Sequence, residues 1–471
     1  MSAAAIPTLI EELHGALRLG AGGAVEIADE AALREHVDVL AWASAFGEPE
    51  RQAAARWLLW EAGRALGIVP ASIHELYIAR GRGETPSNFT VPAINVRAMA
   101  FDCGRAVFRA ACARDVGALI FEIARSEIGY TGQRPAEYIA SLMAAAIKEG
   151  FRGPLFIQGD HFQISAARYG TDPEGEMGAV RELTEEAIQA GFYNIDVDTS
   201  TLVDLDLPTL EEQQRLNASL CADLTAYIRE LEPEGVTVSV GGEIGEVGSK
   251  NSTPEELHAF MGEYNRHLAE GLAGLSKISI QTGTAHGGIV LEDGTLAQVS
   301  VDFDILAELS VISREDYGMA GAVQHGASTL PESAFGKFAE ADACEVHLAT
   351  GFQNMMFDGI PDATRDEIYD WLRAEQRQHW KEGQTEDQFL YSNRKRALGP
   401  FKKQLWSLSE EERASIREAW ERQFGFLFER LAVANTRDLV AEHVTPVPIA
   451  RTAASFGVRE VAAEDVSDLA D

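Results

Sequence analysis

From Val91 onward, short apolar runs alternate with longer stretches that carry apolar residues at helical spacing. Each run has the length of a buried strand, and the stretches between them have the period of amphipathic helices. Several of these stretches begin at a proline or an acidic residue and end at a glycine, as helix ends prefer. The predicted strands cover residues 91–96, 117–124, 153–160, 192–199, 236–243, 278–284, 321–326 and 344–350.

Eight strands that alternate with helices predict an α/β protein built as a closed (β/α)₈ TIM barrel rather than an open sheet. Residues 1–85 read as a helical N-terminal extension that ends in a Gly/Pro/Ser-rich linker. The barrel then covers residues 86–357, and a charged, helical C-terminal extension covers residues 358–444. The tail, residues 445–471, is small and polar, and we expect it to be poorly ordered.

Composition narrows the classes of partner. The 471 residues have a formal net charge of −34, and a surface this acidic repels nucleic acid and anionic membranes. The four cysteines form no C-x-x-C pair, which favours buried thiols over a disulfide framework. The N-terminus lacks the pattern of a secretory signal, and no apolar stretch reaches the roughly 20 residues of a membrane span. We therefore expect a soluble, cytoplasmic protein.

Metal-ligand residues follow four different predicted strands: His161, Glu243, His286 and His325. The carboxyl ends of barrel strands face one mouth, so these side chains should converge. Imidazole and carboxylate groups suit zinc, and a catalytic zinc keeps one position open for substrate. A single histidine at a strand end is usually structural, but three of them beside glycines favour a metal site. We also expect either Asp196 or Asp198 to face this site.

Four motifs, QGDH, GGEIG, GTAHG and HGAS, occur in this order on the third, fifth, sixth and seventh predicted strands. With them, roughly residues 91–350 resemble the class II, metal-dependent fructose-bisphosphate and tagatose-bisphosphate aldolases. The resemblance implies a homodimer or homotetramer that binds Zn²⁺, with Co²⁺ or Mn²⁺ as substitutes and a monovalent cation as a further ligand. It also implies reversible cleavage of a ketose (bis)phosphate, such as fructose 1,6-bisphosphate, to dihydroxyacetone phosphate and an aldehyde through a zinc-stabilised enediolate.

The resemblance assigns roles to individual residues. His161, His286 and His325 would hold the zinc, and Glu243 would be a further ligand or would hold the metal when it shifts inward. Asp160 would be the acid/base that exchanges a proton with the C4 hydroxyl. The residues expected to contact substrate or phosphate are Asn95, Ser126, Gly287, Gly326, Ser328, His347, Thr350, Arg394 and Arg396.

The sequence departs from this family on the phosphate side. The lysine that follows the sixth-strand histidine in the relatives is replaced by about Val290, and of the relatives' last-strand contacts only Thr350 remains. We expect His347 and the basic loop (YSNRKRALGPFKK) to bind phosphate instead, although an unphosphorylated donor and a merely solvated loop stay open. In the loop after the fifth strand, Asn251 stands where relatives carry an acid, so Glu246 is our candidate for moving the C3 proton.

Two alternatives remain at this stage. The segment GYTG (129–132) is similar to the companion subunits of tagatose-bisphosphate aldolases, which favours a non-catalytic subunit. The complete set of metal ligands favours an enzyme, either this aldolase or another metal-dependent barrel enzyme that uses a different donor. No lysine stands at the end of a predicted strand, which argues against a Schiff-base mechanism.

Overall fold

The computed structural model describes residues 5–245, 250–283, 301–457 and 466–469. The strands in these ranges are β1 Leu17–Leu19, β2 Val25–Ile27, β3 Ile68–Ala71, β4 Val91–Asn95, β5 Ile120–Ala124, β6 Gly153–Gln163, β7 Asn194–Asp198, β8 Ser239–Glu243, β9 Lys277–Ile280, β10 Ala322–Gln324 and β11 Glu345–Leu348.

The α-helices lie mostly between and after the strands. In the described ranges they are α1 Ala5–Glu12, α2 Glu30–His36, α3 Asp38–Phe46, α4 Pro49–Ala65, α5 His74–Gly81, α6 Ala100–Ala113, α7 Arg125–Thr131, α8 Pro135–Glu149, α9 Ala166–Thr171, α10 Pro173–Ala190, α11 Leu210–Leu231, α12 Pro254–His267, α13 Phe303–Tyr317, α14 Phe335–Glu340, α15 Thr350–Gly359, α16 Asp362–Glu375, α17 Glu386–Asn393, α18 Lys402–Trp406, α19 Glu410–Arg430 and α20 Arg437–His443.

Strands β4 to β11 form a closed barrel. Each pairs in parallel with the next along the chain, and β11 pairs with β4 to close the ring. Each of the eight predicted strands overlaps one of them, so the predicted (β/α)₈ barrel is confirmed. The strands are buried along both faces, inside by barrel side chains and outside by helices, which explains why they read as continuous apolar runs.

The N-terminal region also contributes a strand to the barrel sheet. β3 pairs with the first half of β6, and β7 joins β6 only from Gln158 onward. The side chain of Asn194 links the two neighbours, since its Oδ1 accepts from the Ile73 amide at 2.9 Å and its Nδ2 donates to the Ala71 carbonyl at 3.2 Å. The prediction that this region is only helical was wrong for β3 and for the β1–β2 hairpin, whose runs are only three or four residues long.

The terminal helices pack on the barrel's outer layer. α4 contacts α3 and α8, and α19 contacts α6 and α15. In the tail, the indole of Trp57 donates to the Arg451 carbonyl at 2.9 Å and the indole of Trp60 donates to the Ile449 carbonyl at 2.7 Å. The described part of the tail is therefore anchored to α4. Within the described ranges, no helix has both the length and the apolar character to cross a membrane.

Candidate active site

An irregularity in β6 brings two consecutive residues into the barrel. Asp160 and His161 are both buried, although successive residues of a regular strand point to opposite faces. The pairing of β6 with β7 shifts register between Gly159 and Phe162, and His161 has a φ of 39°. The ring of Phe162 fills the space that a side chain at residue 159 would need. Such a bulge re-aims a side chain, and here it lets both residues face the interior.

His161 is surrounded by carboxylates. Its Nδ1 lies 2.9 Å from Oδ2 of Asp198 and 3.3 Å from Oε2 of Glu243, while its Nε2 lies 3.9 Å from Oδ1 of Asp160. Burial alone would lower the pKa of His161, but these carboxylates raise it well above its usual value. Asp198 is itself fixed by Ser200 and Gln163. The acceptors at Nδ1 hold a proton there, so when a metal ion displaces the second proton, Nε2 offers its lone pair as the ligand atom.

His325 lies directly beside His161. The two ring centroids are 4.3 Å apart, and Nε2 of His325 lies 2.9 Å from the hydroxyl of Ser279. Two groups of side chains here bring their ligand atoms within 4.8 Å of one another: Asp160 with His161 and His325, and His161 with Asp198 and Glu243. Buried imidazoles and carboxylates, each held by an outer partner, are a donor set that fits a divalent metal ion. His286, the remaining predicted ligand, lies outside the described residues.

Four of the predicted substrate contacts lie at one cavity. Gly326, Ser328, His347 and Thr350 line the same cavity as Asp160 and His161. The hydroxyl of Ser328 also accepts from the Gly351 amide at 3.0 Å. These residues follow the carboxyl ends of β10 and β11 or lie at them, as the predicted mouth requires.

Two further predicted contacts lie at or just after the ends of the first two barrel strands. Asn95 is buried, and its Nδ2 donates to Oε2 of Glu127 at 2.7 Å. Ser126 is buried at the start of α7. The predicted contact Gly287 and the predicted C3 base Glu246 lie outside the described residues.

The basic loop contributes unequally. The guanidinium of Arg394 donates to Asn354 at 2.5 Å and stacks on the rings of Phe357 and Tyr391, so packing already occupies it. Lys395 lies 5.8 Å from the centroid of Tyr130, on α7 beside the barrel mouth. Burial, Arg97 and Arg396 lower the pKa of Lys395 to about 7. The mouth therefore carries a cluster of cations that includes Arg97, which the sequence analysis did not single out.

A layer of buried charge lies below the histidines. We call it the charged layer, and it consists of Glu122, Gln158, Asp196, Lys277, Glu345 and His347. The ammonium of Lys277 donates to Gln158 at 2.7 Å, to Asp196 at 2.9 Å and to Glu345 at 2.5 Å. Burial alone would lower the pKa of Lys277, but the two carboxylates raise it. A protonated lysine does not attack a carbonyl, so Lys277 is unsuited to Schiff-base chemistry.

His347 connects the charged layer to the mouth. Its Nδ1 lies 2.9 Å from Oε2 of Glu122 and 3.1 Å from Oδ1 of Asp160, and its Nε2 lies 2.7 Å from Oε1 of Glu345. The neighbouring carboxylates disfavour an anionic phosphate, and the phosphate role of His347 stays a prediction. Glu122, Lys277 and Glu345 were not among the predicted site residues, although each is a charged residue inside or beside an apolar run.

Either Asp196 or Asp198 was expected to face the site. Both instead face the interior, because residues two apart in a strand share a face: Asp198 contacts His161, and Asp196 contacts Lys277. The absence of a side chain at Gly241, on the neighbouring strand, leaves room for Asp196 and Lys277.

We expect Gly241→Ala to destabilise the fold. The new methyl group would overlap Oδ1 of Asp196 and lie 2.9 Å from Cε of Lys277, and both side chains are held by hydrogen bonds. Overpacking of this kind costs about 1–3 kcal/mol in the free energy of unfolding, measured by urea denaturation. The matched control is Gly262→Ala in α12, where a methyl group meets no atom within 4 Å. Equal stability of the two variants would contradict the packing described for the charged layer.

Comparison with known proteins agrees with this architecture. The family model described as fructose-bisphosphate aldolase class-II matches residues 85–399. The D-tagatose-1,6-bisphosphate aldolase subunit GatZ of Escherichia coli O6:H1 (strain CFT073) is 26% identical over 188 residues, which cover 36% of this chain and 44% of that protein. GatZ of Escherichia coli O1:K1 is 26% identical over 180 residues, 34% of this chain and 43% of that protein. The matched region thus spans less than half the length of these curated relatives.

The fold is also found among solved structures. A probable tagatose 6 phosphate kinase from Sinorhizobium meliloti 1021 superposes with a TM-score of 0.52 at 17% identity, over 75% of this chain and 99% of that one. The family model covers most of the chain, including the barrel strands and the residues of the described site. The chain belongs to the class-II fructose-bisphosphate aldolase family.

Proposed function

We propose that this protein is a metal-dependent aldolase that reversibly cleaves a phosphorylated ketose, with zinc as its metal. The observation that carries the proposal is the convergence of His161 and His325 with buried carboxylates around one cavity, directly beside Asp160. Family membership supports carbon–carbon bond chemistry, and the donor set supports zinc. The oligomeric state belongs to the same proposal, as a homodimer or homotetramer.

The metal would be held by His161, His325 and Glu243, with His286 as a further ligand. Bound there, a zinc ion supplies Lewis acidity that stabilises the negative charge left next to the carbonyl when the carbon–carbon bond breaks. Asp198 fixes the ring of His161, and Ser279 fixes that of His325. These outer contacts hold both rings in place, so little reorganisation is needed when charge develops.

Asp160 would take the proton from the substrate hydroxyl. A general base must be a carboxylate within hydrogen-bond reach of that proton, and Asp160 lines the cavity beside His161. Its Oδ1 lies 3.1 Å from Nδ1 of His347, which holds the carboxylate toward the cavity. In the reverse direction, the same group would return the proton to the new hydroxyl.

The cations at the mouth would bind the phosphate. Arg97 lines the same cavity as Asp160 and His161, and the charges of Arg97 and Arg396 both act on Lys395. A phosphate that binds among these side chains is stabilised by their positive charge. This cluster would therefore replace the lysine that the family carries after its sixth-strand histidine.

We expect Arg396→Gln to weaken substrate binding. Loss of one charge-assisted contact to phosphate should raise KM for a phosphorylated ketose about tenfold, which corresponds to about 1.4 kcal/mol, and leave kcat within about twofold. Steady-state kinetics measure both constants. Lys403→Gln is the control, because Lys403 is exposed in the same basic segment. If the two variants have the same KM, the phosphate does not bind at this cluster.

A panel of substrates tests the proposal as a whole. The purified chain is assayed for aldehyde release from fructose 1,6-bisphosphate, tagatose 1,6-bisphosphate, the corresponding 1-phosphates and the free ketoses. We expect cleavage of at least one phosphorylated ketose, and no comparable rate with free ketoses. Faster cleavage of free ketoses would overturn the phosphorylated donor.

The named relatives favour one other candidate. Because they are described as a subunit, a non-catalytic companion role is the second proposal. It predicts that the chain alone releases no aldehyde from any member of the panel, and that it raises the activity or stability of a separate aldolase when the two are mixed. Activity of the chain alone decides between the two candidates.

A further inference from the structure

The barrel interior is rich in acidic side chains. Six buried carboxyl groups lie around the site and in the charged layer: Glu122, Asp160, Asp196, Asp198, Glu243 and Glu345. Among the described residues of this interior, Lys277 contributes the one ammonium group, and the carboxylates raise the pKa of His161 and His347 well above its usual value. When no metal is bound, protons on these rings therefore supply part of the compensating charge. Buried carboxylates are stable only when cations or hydrogen bonds compensate for their lost hydration, and metal ions can take the place of these protons.

Part of the charged layer already has its cation. The ammonium of Lys277 donates to both Asp196 and Glu345, and it occupies the space between their carboxylates. A metal ion would have to displace a fully buried lysine to bind there. Lys277 donates to Gln158, Asp196 and Glu345, but not to Glu122, the third carboxylate of the charged layer.

Glu122 has an oxygen without a partner. Its Oε2 lies 2.9 Å from Nδ1 of His347 and accepts from Nε2 of Gln158 at 3.2 Å. Its Oε1 is buried, and no described residue hydrogen-bonds to it. The side chain is 0% exposed, yet it lines the same cavity as Asp160 and His347. A buried carboxylate oxygen that faces a polar cavity without a donor is a position that a cation would stabilise.

His347 is oriented as a metal ligand would be. Its Nε2 lies 2.7 Å from the carboxylate of Glu345, and an N–H at that position would donate to it. Without a metal ion, Nδ1 holds a proton between Glu122 and Asp160, and a metal ion that replaces this proton would find the lone pair of Nδ1 facing both carboxylates. Metal-bound histidines usually donate their other ring N–H to a carboxylate in this way. The ligand atoms of Glu122, Asp160 and His347 lie within 4.8 Å of one another.

We propose that Glu122, Asp160 and His347 form a second divalent-metal site, next to the site of His161 and His325. One imidazole and two carboxylates form a mixed nitrogen and oxygen set that accepts Zn²⁺ or Mn²⁺. Asp160 lies in both groups of side chains, so the two ions would be neighbours, with Asp160 a ligand of the second ion alone. Sites of this kind hold their metals about 3.5–4 Å apart.

The second ion has a functional consequence, which rests on the proposed function. Asp160 is the proposed base, and a metal ion that binds its carboxylate would compete with the proton it has to accept. The first equivalent of metal should therefore activate the enzyme, and the second should inhibit it. Glu122 and His347 would then set the metal concentration at which activity is greatest.

Metal counting tests the second site. The metal-stripped full-length protein is dialysed against Zn²⁺ or Mn²⁺, and the bound metal per chain is measured by elemental analysis. We expect about two ions in the native sequence, one in Glu122→Gln and one in His347→Gln, and two in the control Glu340→Gln, whose side chain is exposed on α14. One ion per chain in the native protein would overturn the proposal even if neither variant folds.

Two further readouts separate this proposal from the proposed function. In the electron paramagnetic resonance spectrum of the Mn²⁺-loaded protein, neighbouring ions should broaden the six-line signal of isolated Mn²⁺, and Glu122→Gln should restore it. A sharp signal at two ions per chain would place the second ion elsewhere and contradict the site.

If the protein binds two coupled ions but cleaves no ketose, the proposed function fails and the second site stands. If the protein cleaves ketoses with one ion per chain, the second site fails and the proposed function stands.

Discussion

His325→Ala is expected to abolish most of the aldol cleavage. The side chain is buried, lies beside His161 and is one of two described imidazoles at the proposed zinc site. An incomplete ligand set binds metal weakly, and the several kcal/mol of charge stabilisation that the metal supplies would be lost. A loss of about 4 kcal/mol corresponds to a fall of about a thousandfold in kcat/KM. Steady-state kinetics and elemental analysis of the same preparation measure both effects.

The control for this variant is His267→Ala. His267 is exposed at the C-terminal end of α12, so its loss should change neither activity nor metal content. Circular dichroism checks that both variants keep their helices. If His325→Ala binds metal and cleaves substrate like the control, His325 is not a ligand, and the proposed site would have to be built from other residues.

Asp160→Asn should give the second large effect. The amide keeps the shape of the carboxylate but cannot accept the substrate proton, and loss of a general base costs about 10²–10⁴-fold in rate. The fall should appear in kcat, with KM nearly unchanged, because the amide can still donate or accept a hydrogen bond. The ion at His161 and His325 should remain, since these two rings and Glu243 are intact.

An exposed aspartate provides the comparison for Asp160. Asp366→Asn changes a surface side chain of α16 and should leave kcat unaltered. If Asp160→Asn keeps more than about a tenth of the native kcat, Asp160 does not carry the proton. Glu122 would then be the next candidate, because it is the other carboxylate that contacts Nδ1 of His347.

The barrel itself could be predicted from the sequence because its strands are buried on both faces. That burial demands short apolar runs, and each predicted run overlaps a strand of the closed sheet. The positions of Asp160, Glu243 and His325 followed from the same strand ends. β3 escaped prediction because four residues between two helices carry too little periodicity to be distinguished from a loop.

The interior charges could not be predicted from local pattern. The predicted strand begins at residue 278, so Lys277 lies just outside it, whereas β9 begins at Lys277. Its partners Asp196 and Glu345 lie 81 and 68 residues away, and only the closed barrel brings them together. The bulge at His161 is likewise invisible in an apolar run, because it depends on how Phe162 packs over Gly159.

The role of the basic loop could be predicted only in part. Its positive charges indicated a phosphate-binding segment, but not which of its side chains lies near the barrel mouth. Arg394 stacks on two aromatic rings, whereas Lys395 lies beside Tyr130 with Arg97 and Arg396 as its nearest cations. Arg97 could not be assigned to this cluster from the sequence, since it follows a strand almost 300 residues before the loop. Such long-range convergence requires the tertiary structure.

Aldol cleavage by the purified chain, before and after metal removal, tests the central claim most directly. The protein is stripped with a chelator, assayed with the phosphorylated ketose that it cleaves best, and then reloaded with Zn²⁺ to one equivalent. We predict that cleavage falls below about a hundredth of its initial rate and returns with zinc. Treatment with borohydride in the presence of substrate should leave the activity unchanged. Full activity in the chelated, metal-free protein would contradict the proposed metal-dependent mechanism.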